Sequence, residues 1–555
     1  MDLMQIFVSE NFALATSISI LSLALVGAYL YSRNLHSYWE RRGIKGPKPW
    51  PVVGNFLTLL ASKDRLKMER EWRTKYGKVY GIYQGYEPIL VVAEADSLLQ
   101  ITIKDFDSFQ NHNLNEFSNH YQKHFLIFLK GDHWKKVRAL MSPTFTSGKI
   151  KRMFRFLDGC ADDLVESFRE QLKPHQRAGS ANVKELYNLF TMDAISTCCY
   201  GLKLERAGSS NLKMAATRNE LVAIAMKFFE FSYVRLLVGF TMPKPLLRLM
   251  GFKMSPLNKH EPLADKMRQL IAKRRQSAKK FDDYLQLLID AKLDDKLELN
   301  EMDLEENHHA GLTEQSMLDD QQRMADEVVA QAGKSAKDIS LSEIEILSGA
   351  MFILAVGLET TGTLLTHCTY SLAFHEDVQR RLYDELMKIV EYNEDKSKLS
   401  FSYESLTSCQ YLDAVVSETL RLLSPVVMLD RVANKDYYLK KYDIRMPKGA
   451  KLNLAYYATL NDPDYWDEPH KFNPDRFMPG NKEKIVPGSY CPFGLGPRHC
   501  IGMRFSLTEA KLALAKMLMN YRFEPAPNTS FPPKPSGSIA LHNIANPIVQ
   551  FVCRT

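Results

Sequence analysis

The sequence predicts a mainly α-helical protein with a small β portion. Residues 344–374 are apolar on almost every side, a pattern typical of a helix that is buried all round. Residues 505–518 carry apolar side chains at helical spacing and predict an amphipathic helix near the carboxyl end. The short runs 79–83 and 88–92 predict a pair of strands. Because most later segments follow the helical period, we expect the β content to be minor.

Composition limits the class of protein. The chain has 555 residues, of which 45% are hydrophobic and 25% are charged, and its formal net charge is +7. This mildly basic balance falls well short of a nucleic-acid-binding signature, but it suits an anionic membrane surface or an acidic partner. The eight cysteines form no C-x-x-C pair, so we expect reduced thiols in a protein that faces the cytosol.

The amino-terminal residues 1–33 are predicted to form a membrane anchor. Residues 12–31 are an uncharged, mostly apolar run, long enough to span a bilayer. Acidic residues precede the run and basic residues follow it, so the positive-inside rule places the start outside the cell or in a lumen and the bulk in the cytosol. The alternative is a cleaved signal peptide. We assign residues 34–55 to a basic, proline-rich hinge and residues 56–555 to one globular domain.

A change in composition marks residues 290–340. Aspartate and glutamate crowd this stretch and aromatic residues are few, so it cannot bury enough apolar surface to offset its ordering entropy. We therefore predict a mobile acidic loop inserted in the globular domain. The sequence assigns no function to it.

The most informative stretch is 492–502, which reads PFGLGPRHCIG. Its glycines permit tight turns, so backbone N–H groups can surround the Cys500 sulfur, and the positive end of the following helix favours a thiolate. A thiolate held by backbone donors is a good soft ligand for iron. Phe493 can shield this sulfur from water, and Arg498 offers a cation to an anionic cofactor edge. The alternative is a buried structural cysteine in a glycine-rich turn.

The pattern F-x-x-G-x-R-x-C-x-G is filled by Phe493, Gly496, Arg498, Cys500 and Gly502. It resembles the haem-binding loop of the cytochrome P-450 family, the haem-thiolate monooxygenases. The resemblance implies the cytochrome P-450 fold behind one amino-terminal transmembrane helix, with 56–555 as the haem-thiolate catalytic domain. It implies haem b as the cofactor and Cys500 as the axial ligand of its iron. The amino-acid sequences of residues 142–145 and 500–505 are most similar to those of the microsomal animal branch of drug and steroid oxidases that includes thromboxane synthase.

Cations elsewhere in the chain are implied to hold the haem propionates. Trp134 and Arg138 are four residues apart, hence on one helix face, where an indole N–H and a guanidinium can both reach a carboxylate. In isolation, a Trp–Arg stack on the surface explains the pair equally well. In the family this pattern marks a propionate-binding helix, and Arg431 and Arg498 match further propionate-binding positions. Basic residues at 135–152 also offer a docking surface for an acidic reductase.

An acid and a hydroxyl, Glu359 and Thr360, stand in the middle of the apolar run 344–374. A threonine hydroxyl can bond back to the carbonyl four residues earlier and leave a polar notch that holds water and relays protons. The alternative is two satisfied core groups. The local sequence resembles the family's oxygen-activating helix, which implies that Thr360, with Glu359 behind it, delivers protons during oxygen activation.

The substrate pocket departs from the family pattern at Val356, where alanine or glycine is usual. Its methyl groups should point into the distal pocket and narrow it. The substrates of relatives are therefore a poor guide to the substrate of this chain. Val427 and Met428 are implied to line the same pocket. Residues 228–252 are apolar but broken by prolines; they predict core packing or, at the position of the family's access lid, an amphipathic flap in the membrane interface.

Glu418 and Arg421 are three residues apart and share a helix face, which alone is a common surface pair. In the family, an arginine from a later segment closes a Glu–Arg–Arg cluster behind the haem, and Arg476 stands at that place. Guanidinium–carboxylate pairing there would lock the segment that supports Cys500. The implied role is in the fold rather than in the chemistry.

The resemblance implies a monooxygenase of the endoplasmic reticulum membrane, with a single-pass anchor and a cytoplasmic catalytic domain. One atom of O2 would enter a lipophilic xenobiotic, steroid or fatty-acid-like molecule. Electrons would come from NADPH through a cytochrome reductase, with cytochrome b5 as a further partner; the lipid bilayer is a partner and nucleic acid is not. Two alternatives remain, namely a haem-thiolate isomerase or dehydratase that acts on a peroxide without external electrons, and a non-catalytic haem-binding protein.

Overall fold

The computed structural model describes residues 3–62, 64–113, 116–172, 175–204, 212–230, 232–279, 281–291, 340–392, 399–536 and 541–554. The acidic loop predicted at 290–340 lies outside these ranges except for its first two residues and its last. The described residues form a mainly α-helical body with small sheets, in agreement with the predicted fold class.

The α-helices of the described ranges are numbered in chain order. They are α1 (Leu3–His36), α2 (Phe56–Ala61), α3 (Arg65–Tyr76), α4 (Ala95–Leu99), α5 (Gly131–Met141), α6 (Ser147–Arg169), α7 (Val183–Tyr200), α8 (Leu212–Met226), α9 (Tyr233–Thr241), α10 (Lys244–Leu249), α11 (Glu261–Gln276), α12 (Tyr284–Asp290), α13 (Glu343–Phe374), α14 (Glu376–Met387), α15 (Tyr403–Ser408), α16 (Gln410–Leu422), α17 (Tyr456–Leu460) and α18 (Met503–Asn520).

The strands are short and form small sheets. They are β1 (Val79–Gln84), β2 (Glu87–Val92), β3 (Ala178–Asn182), β4 (Glu391–Tyr392), β5 (Leu399–Ser400), β6 (Leu429–Val432), β7 (Tyr437–Leu439), β8 (Ile444–Met446), β9 (Lys451–Leu454), β10 (Tyr521–Pro525) and β11 (Ile548–Cys553). The largest sheet has the order β1-β2-β9-β6, and the second has the order β10-β11-β3. The predicted strand pair is β1 and β2, which run antiparallel with Val79 opposite Val92.

Helix α13 is the centre of the core. It has 32 residues, about 48 Å at 1.5 Å per residue, and most of its side chains are buried. A capping box fixes its start, because Ser342 and Glu345 each bond to the backbone of the other. Helices α7, α11, α16 and α18 pack against it. Their apolar faces join in one hydrophobic core, as the apolar run 344–374 predicts.

Helix α1 continues past the predicted end of the anchor at residue 33 and ends at His36. Its carboxyl end is tied to the globular body, since the His36 imidazole bonds to the Gly85 carbonyl at 2.9 Å. Among the helices that the structure describes, α13 alone is long and apolar enough to cross a bilayer, and 67% of that apolar stretch is buried inside the protein, as in a core helix. Membrane insertion of α1 therefore stays a prediction.

The predicted hinge at 34–55 packs on strands β1 and β2. The Trp39 side chain is buried there, and its indole N–H donates to the Ile82 carbonyl at 3.0 Å. Gly81 leaves room for this ring, because an added Cβ would lie 2.3 Å from the Trp39 Cγ. Because Gly81 has no side chain, Trp39 can pack on β1 and hold the hinge against the sheet.

Gly81→Ala should push Trp39 off the sheet and lower the free energy of unfolding by about 1–3 kcal/mol, the usual cost of overpacking. The control is Gly159→Ala in α6, where an added Cβ meets nothing within 4 Å. Alanine is the better helix former, so the control should raise stability by about 1 kcal/mol. Chemical denaturation measures both variants, and equal stabilities would contradict the packing described for Trp39.

Candidate active site around Cys500

Two glycines hold the loop that carries Cys500 in a tight conformation. Gly494 and Gly496 have φ angles of +80° and +69°, a region that other residues rarely adopt. A Cβ on Gly496 would lie 1.9 Å from the backbone oxygen of Thr102, so the two backbones approach too closely for any side chain. The Cys500 N–H donates to the Phe493 carbonyl at 2.9 Å, which closes the loop just before α18.

Cys500 differs from every other cysteine of the chain. All eight lie in the described ranges, and Cys500 alone is exposed, whereas six are buried and Cys553 is half-buried. Protein surrounds the Cys500 sulfur, so its accessible surface faces an interior space. Burial raises the pKa of this thiol, while the Gly502 N–H and the charge of Arg138 act in the opposite direction. Burial in the bare loop thus opposes the thiolate expected from the helix dipole, whereas a bound metal ion would favour it, since a coordinated thiol loses its proton.

Three buried arginines surround the loop. Arg138 of α5 donates to the carbonyl of the residue before Cys500 at 2.9 Å. Arg498 donates to four backbone carbonyls between residues 110 and 129. Arg431 of β6 is fixed by its donation to a neighbouring backbone carbonyl at 2.7 Å. The structure thus brings together three cations that are up to 360 residues apart in the chain.

This arginine cluster carries more positive charge than its surroundings neutralise. Burial and then the charges of Arg431 and Arg138 lower the pKa of Arg498, and Asp430 offsets only part of that effect. The Nε of Arg431 is buried without a hydrogen-bond partner in the described part of the chain. Buried cations need a counter-charge and hydrogen-bond acceptors. The two propionates of haem meet both needs, so these residues fit the cofactor that the resemblance implies.

Trp134 lies beside the arginine cluster. Its ring is buried, and the Arg498 guanidinium stacks over it at 3.8 Å from the ring centroid. The surface stack of Trp134 on Arg138, considered above as an alternative, does not form. Sequence analysis missed His112, whose ring lies 3.2 Å from Arg431. Burial and then the charge of Arg431 lower the pKa of His112 to about 4, and no motif marks it because only the fold brings it to β6.

The central helix contributes the second part of the site. Between residues 346 and 373, the half-buried positions are Phe352, Val356, Gly357 and Thr360. They form one stripe of the helix, along which α13 keeps part of its surface accessible. The Thr360 hydroxyl donates to the Val356 carbonyl at 2.7 Å, the back-bond expected from the sequence. A hydrogen bond of 3.0 Å between Thr361 and Ser506 holds this turn against α18, the helix that follows Cys500.

Glu359 is buried in a polar network beside that stripe. Lys184 of α7 lies 3.2 Å from its Oε2 and donates to the Thr363 hydroxyl at 2.7 Å. Asn543 donates to Glu359 Oε1 at 3.0 Å and accepts from the same hydroxyl at 2.8 Å. Burial lowers the pKa of Lys184 to about 8, an effect that Glu359 opposes. Sequence analysis missed Lys184 and Asn543, because each reaches the acid from a distant segment and neither belongs to a pattern.

The predicted pocket residues Val427 and Met428 lie in a small apolar cluster with Leu66 and Tyr457. Val427 is buried, whereas Met428 is half-buried. The cluster joins the segment before β6 to α3 and α17. Contact of these two side chains with a substrate stays a prediction.

Glu418, Arg421 and Arg476 come together in an ionic cluster. Arg421 holds the Glu418 carboxylate through Nε and Nη2, at 2.7 and 2.9 Å, and both side chains are fully buried. The Nε of Arg476 lies 3.5 Å from the same carboxylate. Arg421 also donates to three backbone carbonyls between residues 460 and 471, and so anchors the chain that leads to the Cys500 loop.

Comparisons with known proteins show which family this chain belongs to. A family model described as "Cytochrome P450" matches residues 44–551. Cytochrome P450 3A14 of Cavia porcellus is 30% identical over 553 residues, which cover 99% of this chain and 97% of that protein. Cytochrome P450 3A5 of Homo sapiens is 29% identical over 520 residues, or 93% and 92% of the two chains. Cytochrome P450 3A9 of Rattus norvegicus is 30% identical over 529 residues, or 94% of each.

The chain therefore belongs to the cytochrome P-450 family, and the resemblance inferred from the motif around Cys500 is confirmed. It is a cytochrome P-450 monooxygenase, since the match covers nearly the whole chain and nearly the whole of each relative. The three relatives are animal proteins of one group, 3A, in agreement with the animal branch that the wording of residues 142–145 and 500–505 predicted.

Glu418→Gln should leave two guanidinium groups without their shared carboxylate, a loss that costs about 3–5 kcal/mol when the pair is buried. We expect a marked fall in the free energy of unfolding and little haem in the expressed protein. The control is Glu404→Gln, because its ion pair with Lys151 is exposed and worth at most about 1 kcal/mol. Denaturation and haem content per chain measure both effects; a normal haem content in Glu418→Gln would contradict the anchoring role.

Lys184→Met should lower the free energy of unfolding by about 3–5 kcal/mol, because the buried Glu359 carboxylate loses its cation. The double variant with Glu359→Gln should regain most of this loss, since a neutral amide needs no counter-charge. Without such a recovery, the two side chains would not be coupled.

The pH dependence gives a second measure of the same pair. The pKa of Lys184 is about 8 in the folded protein and 10.5 ordinarily, so between these values the unfolded chain binds more protons. The native protein should therefore gain stability from this group as the pH rises from about 8 toward 10.5. Lys184→Met should lack that gain in the same denaturation series.

Proposed function

We propose that this monooxygenase oxidises lipophilic small molecules with electrons that NADPH supplies through a membrane-bound reductase. The observation that carries the proposal is the Cys500 thiol, the exposed one among eight, in a glycine-bound loop beside buried arginines. Xenobiotics, steroids and fatty-acid-like compounds are the proposed substrate classes, because the accessible stripe of α13 is mainly apolar. Val356 and Phe352 would contact such molecules.

The residues of the site would hold haem b as follows. The Cys500 sulfur would be the axial ligand of the iron. The propionates would be held by Arg138, Arg431, Arg498 and Trp134. Bound in this way, haem supplies the O2 chemistry by which one oxygen atom enters a C–H or C=C bond. The protein supplies binding, orientation and the exclusion of water, and Phe493 would shield the sulfur.

Thr360 and Glu359 would deliver the protons that the reaction consumes. The Thr360 hydroxyl donates to the Val356 carbonyl, so its oxygen can accept a hydrogen bond from water in the interior space. Glu359 is buried and belongs to a polar network that includes Lys184. Protons would reach Glu359 by transfer from group to group along this network. This arrangement favours a monooxygenase over an isomerase or dehydratase acting on a peroxide, because that rearrangement takes up no protons and no electrons from outside.

We also propose that the protein lies on the endoplasmic reticulum membrane, with α1 as a single-pass anchor and the catalytic domain in the cytoplasm. Helix α1 exposes Ile18, Ile20, Leu23, Val26 and Leu30. The segment of α9 and α10 exposes Tyr233, Val234, Leu249 and Met250. Both surfaces adjoin the turn between β1 and β2, because His36 bonds to the Gly85 carbonyl and the Phe240 backbone lies against the same glycine. One face would therefore meet the lipid, with α9 and α10 as the flap.

The electron donors would dock on the basic surface of α5 and α6. This surface includes Lys135, Lys136, Lys149, Lys151 and Arg152. Several of these side chains already pair with single carboxylates, such as Lys149 with Asp282. An acidic reductase, or cytochrome b5, would compete with these carboxylates for the cations, of which Lys151 and Arg152 are exposed, so binding should weaken as salt is raised.

The test is the carbon monoxide difference spectrum of the reduced protein, followed by O2 uptake with NADPH and a reductase. The native protein should give the spectrum of thiolate-ligated haem, and Cys500→Ser should lose it. Cys553→Ser, at a half-buried position in β11, is the matched control and should keep it. An unchanged spectrum in Cys500→Ser, or a colourless native protein, would refute the ligand assignment.

Turnover then separates the two alternatives. Product that forms from a peroxide without NADPH would favour the isomerase or dehydratase. A normal spectrum without O2 uptake across a panel of lipophilic compounds would favour a non-catalytic haem-binding protein.

A further inference from the structure

We propose that His367 and His542 hold buried water that carries protons from the surface near Asp64 to Glu359. Both histidines lie outside every motif discussed above. The inference rests on the proposed function, because it concerns the supply of protons to that reaction. The two imidazoles are positioning residues, since each would act through the water that it holds.

The two imidazoles lie next to each other inside the core, with their ring planes tilted by 55°. His367 of α13 is 0% exposed and His542 is 7% exposed, and their ring centroids are 5.3 Å apart. The Nδ1 of His367 lies 2.6 Å from the Leu423 carbonyl. Because a carbonyl only accepts, this nitrogen carries the hydrogen, and Nε2 of the same ring is left as an acceptor.

One nitrogen of each ring lacks a protein partner. His367 Nε2 and His542 Nδ1 are buried and lack a well-formed hydrogen bond to the residues that the structure describes, although the backbone of His542 lies close to the His367 ring and that of Ser424 close to the His542 ring. Burial lowers the pKa of His367 well below its usual range and the pKa of His542 to about 4, so both rings are neutral. Buried polar atoms without partners are costly, and ordered water is the usual remedy where two of them converge.

The inner end of the path reaches the network of Glu359. Thr363 precedes His367 by one turn of α13, about 5.4 Å along the helix axis. The Thr363 hydroxyl donates to the Asn543 side chain at 2.8 Å, and the Asn543 amide donates to Glu359 at 3.0 Å. Asn543 is also the residue that directly follows His542. Water between the imidazoles therefore lies one helical turn from groups that contact the acid.

The outer end of the path reaches the surface through Tyr457. The ring of His542 lies 5.9 Å from that of Tyr457, and the Tyr457 hydroxyl accepts from Arg70 at 3.3 Å. Arg70 is half-buried on α3, and half-buried Asp64 caps the same helix. The charges that act on His542 are those of Asp64 and Arg70, and Lys184 acts on His367. Polar side chains thus follow one another from the surface to Glu359.

The stoichiometry of the reaction shows why such a path is needed. In RH + O2 + NADPH + H+ → ROH + H2O + NADP+, one oxygen atom enters the substrate and the other leaves as water. The reductase passes on electrons alone, so the protons of that water must reach a buried site from solvent. When they fail to arrive where the O–O bond is cleaved, the reaction becomes O2 + NADPH + H+ → H2O2 + NADP+, and the substrate is unchanged.

The first test is structural and needs no turnover. A high-resolution crystal structure of the haem-loaded protein should show ordered water within hydrogen-bond distance of His367 Nε2 and His542 Nδ1. His542→Phe should lose that water but keep the carbon monoxide difference spectrum. A dry gap between the native rings, or a direct hydrogen bond between them, would overturn the proposal.

The second test measures the share of consumed NADPH that appears as product. His367→Phe and His542→Phe should each lower it roughly 10-fold, less than the loss of a proton-transfer group itself, with a matching rise in hydrogen peroxide. His542→Gln should restore most of the share, because an amide still holds water. The control is His375→Phe at the end of α13, where the imidazole bonds to the Ser371 carbonyl outside this path; its product share should not change.

The outcomes separate this proposal from the proposed function. If the native protein couples NADPH to product and both phenylalanine variants do so equally well, the water path is refuted and the function stands. If His542→Gln is as uncoupled as His542→Phe, a packing role replaces the proton path. If the native protein lacks the haem-thiolate spectrum, the proposed function fails, and this inference fails with it.

Discussion

Buried positive charge that nearby carboxylates offset only in part is the constraint that shapes this protein around Cys500. The fold contains two kinds of buried arginine. Arg421 finds its counter-charge in Glu418 and further hydrogen-bond acceptors in three carbonyls. It therefore stabilises the polypeptide without a cofactor. Arg138, Arg431 and Arg498 meet carbonyls but few negative charges. On the proposed function, the dianionic haem would supply the missing negative charge, so its binding would stabilise the folded protein.

The central helix shows how an apolar element carries polar chemistry without loss of stability. Two of its threonine hydroxyls return to the backbone of their own helix: Thr360 to Val356 and Thr366 to Gly362. Each polar group is thus satisfied locally, and the helix stays packed on its neighbours. The acid is satisfied differently, by Lys184 and an amide from distant segments. The hydroxyls depend on local geometry, whereas the acid depends on the tertiary fold.

This difference explains what the sequence could and could not predict. The period of apolar residues is a local property, and it predicted the central helix, α18 and the β1–β2 pair. The Cys500 loop and the Glu418 pair were found because their residues keep fixed spacings over short distances. His112, Lys184 and Asn543 were missed because their partners lie far away in the chain. The thiolate of Cys500 stays a prediction that the family supports, because its stability depends on the cofactor as well as on the loop, where burial alone raises the pKa of the thiol.

The bond between Thr360 and Val356 separates two properties of the site. The acceptor is the backbone carbonyl of Val356, whereas its side chain is half-buried and is predicted to narrow the substrate pocket. A smaller or larger residue at this position would leave the Thr360 hydroxyl its acceptor, because every residue has that carbonyl. On the proposed function, the choice of substrate could therefore change at this position while the hydroxyl that takes part in the oxygen chemistry stays in place.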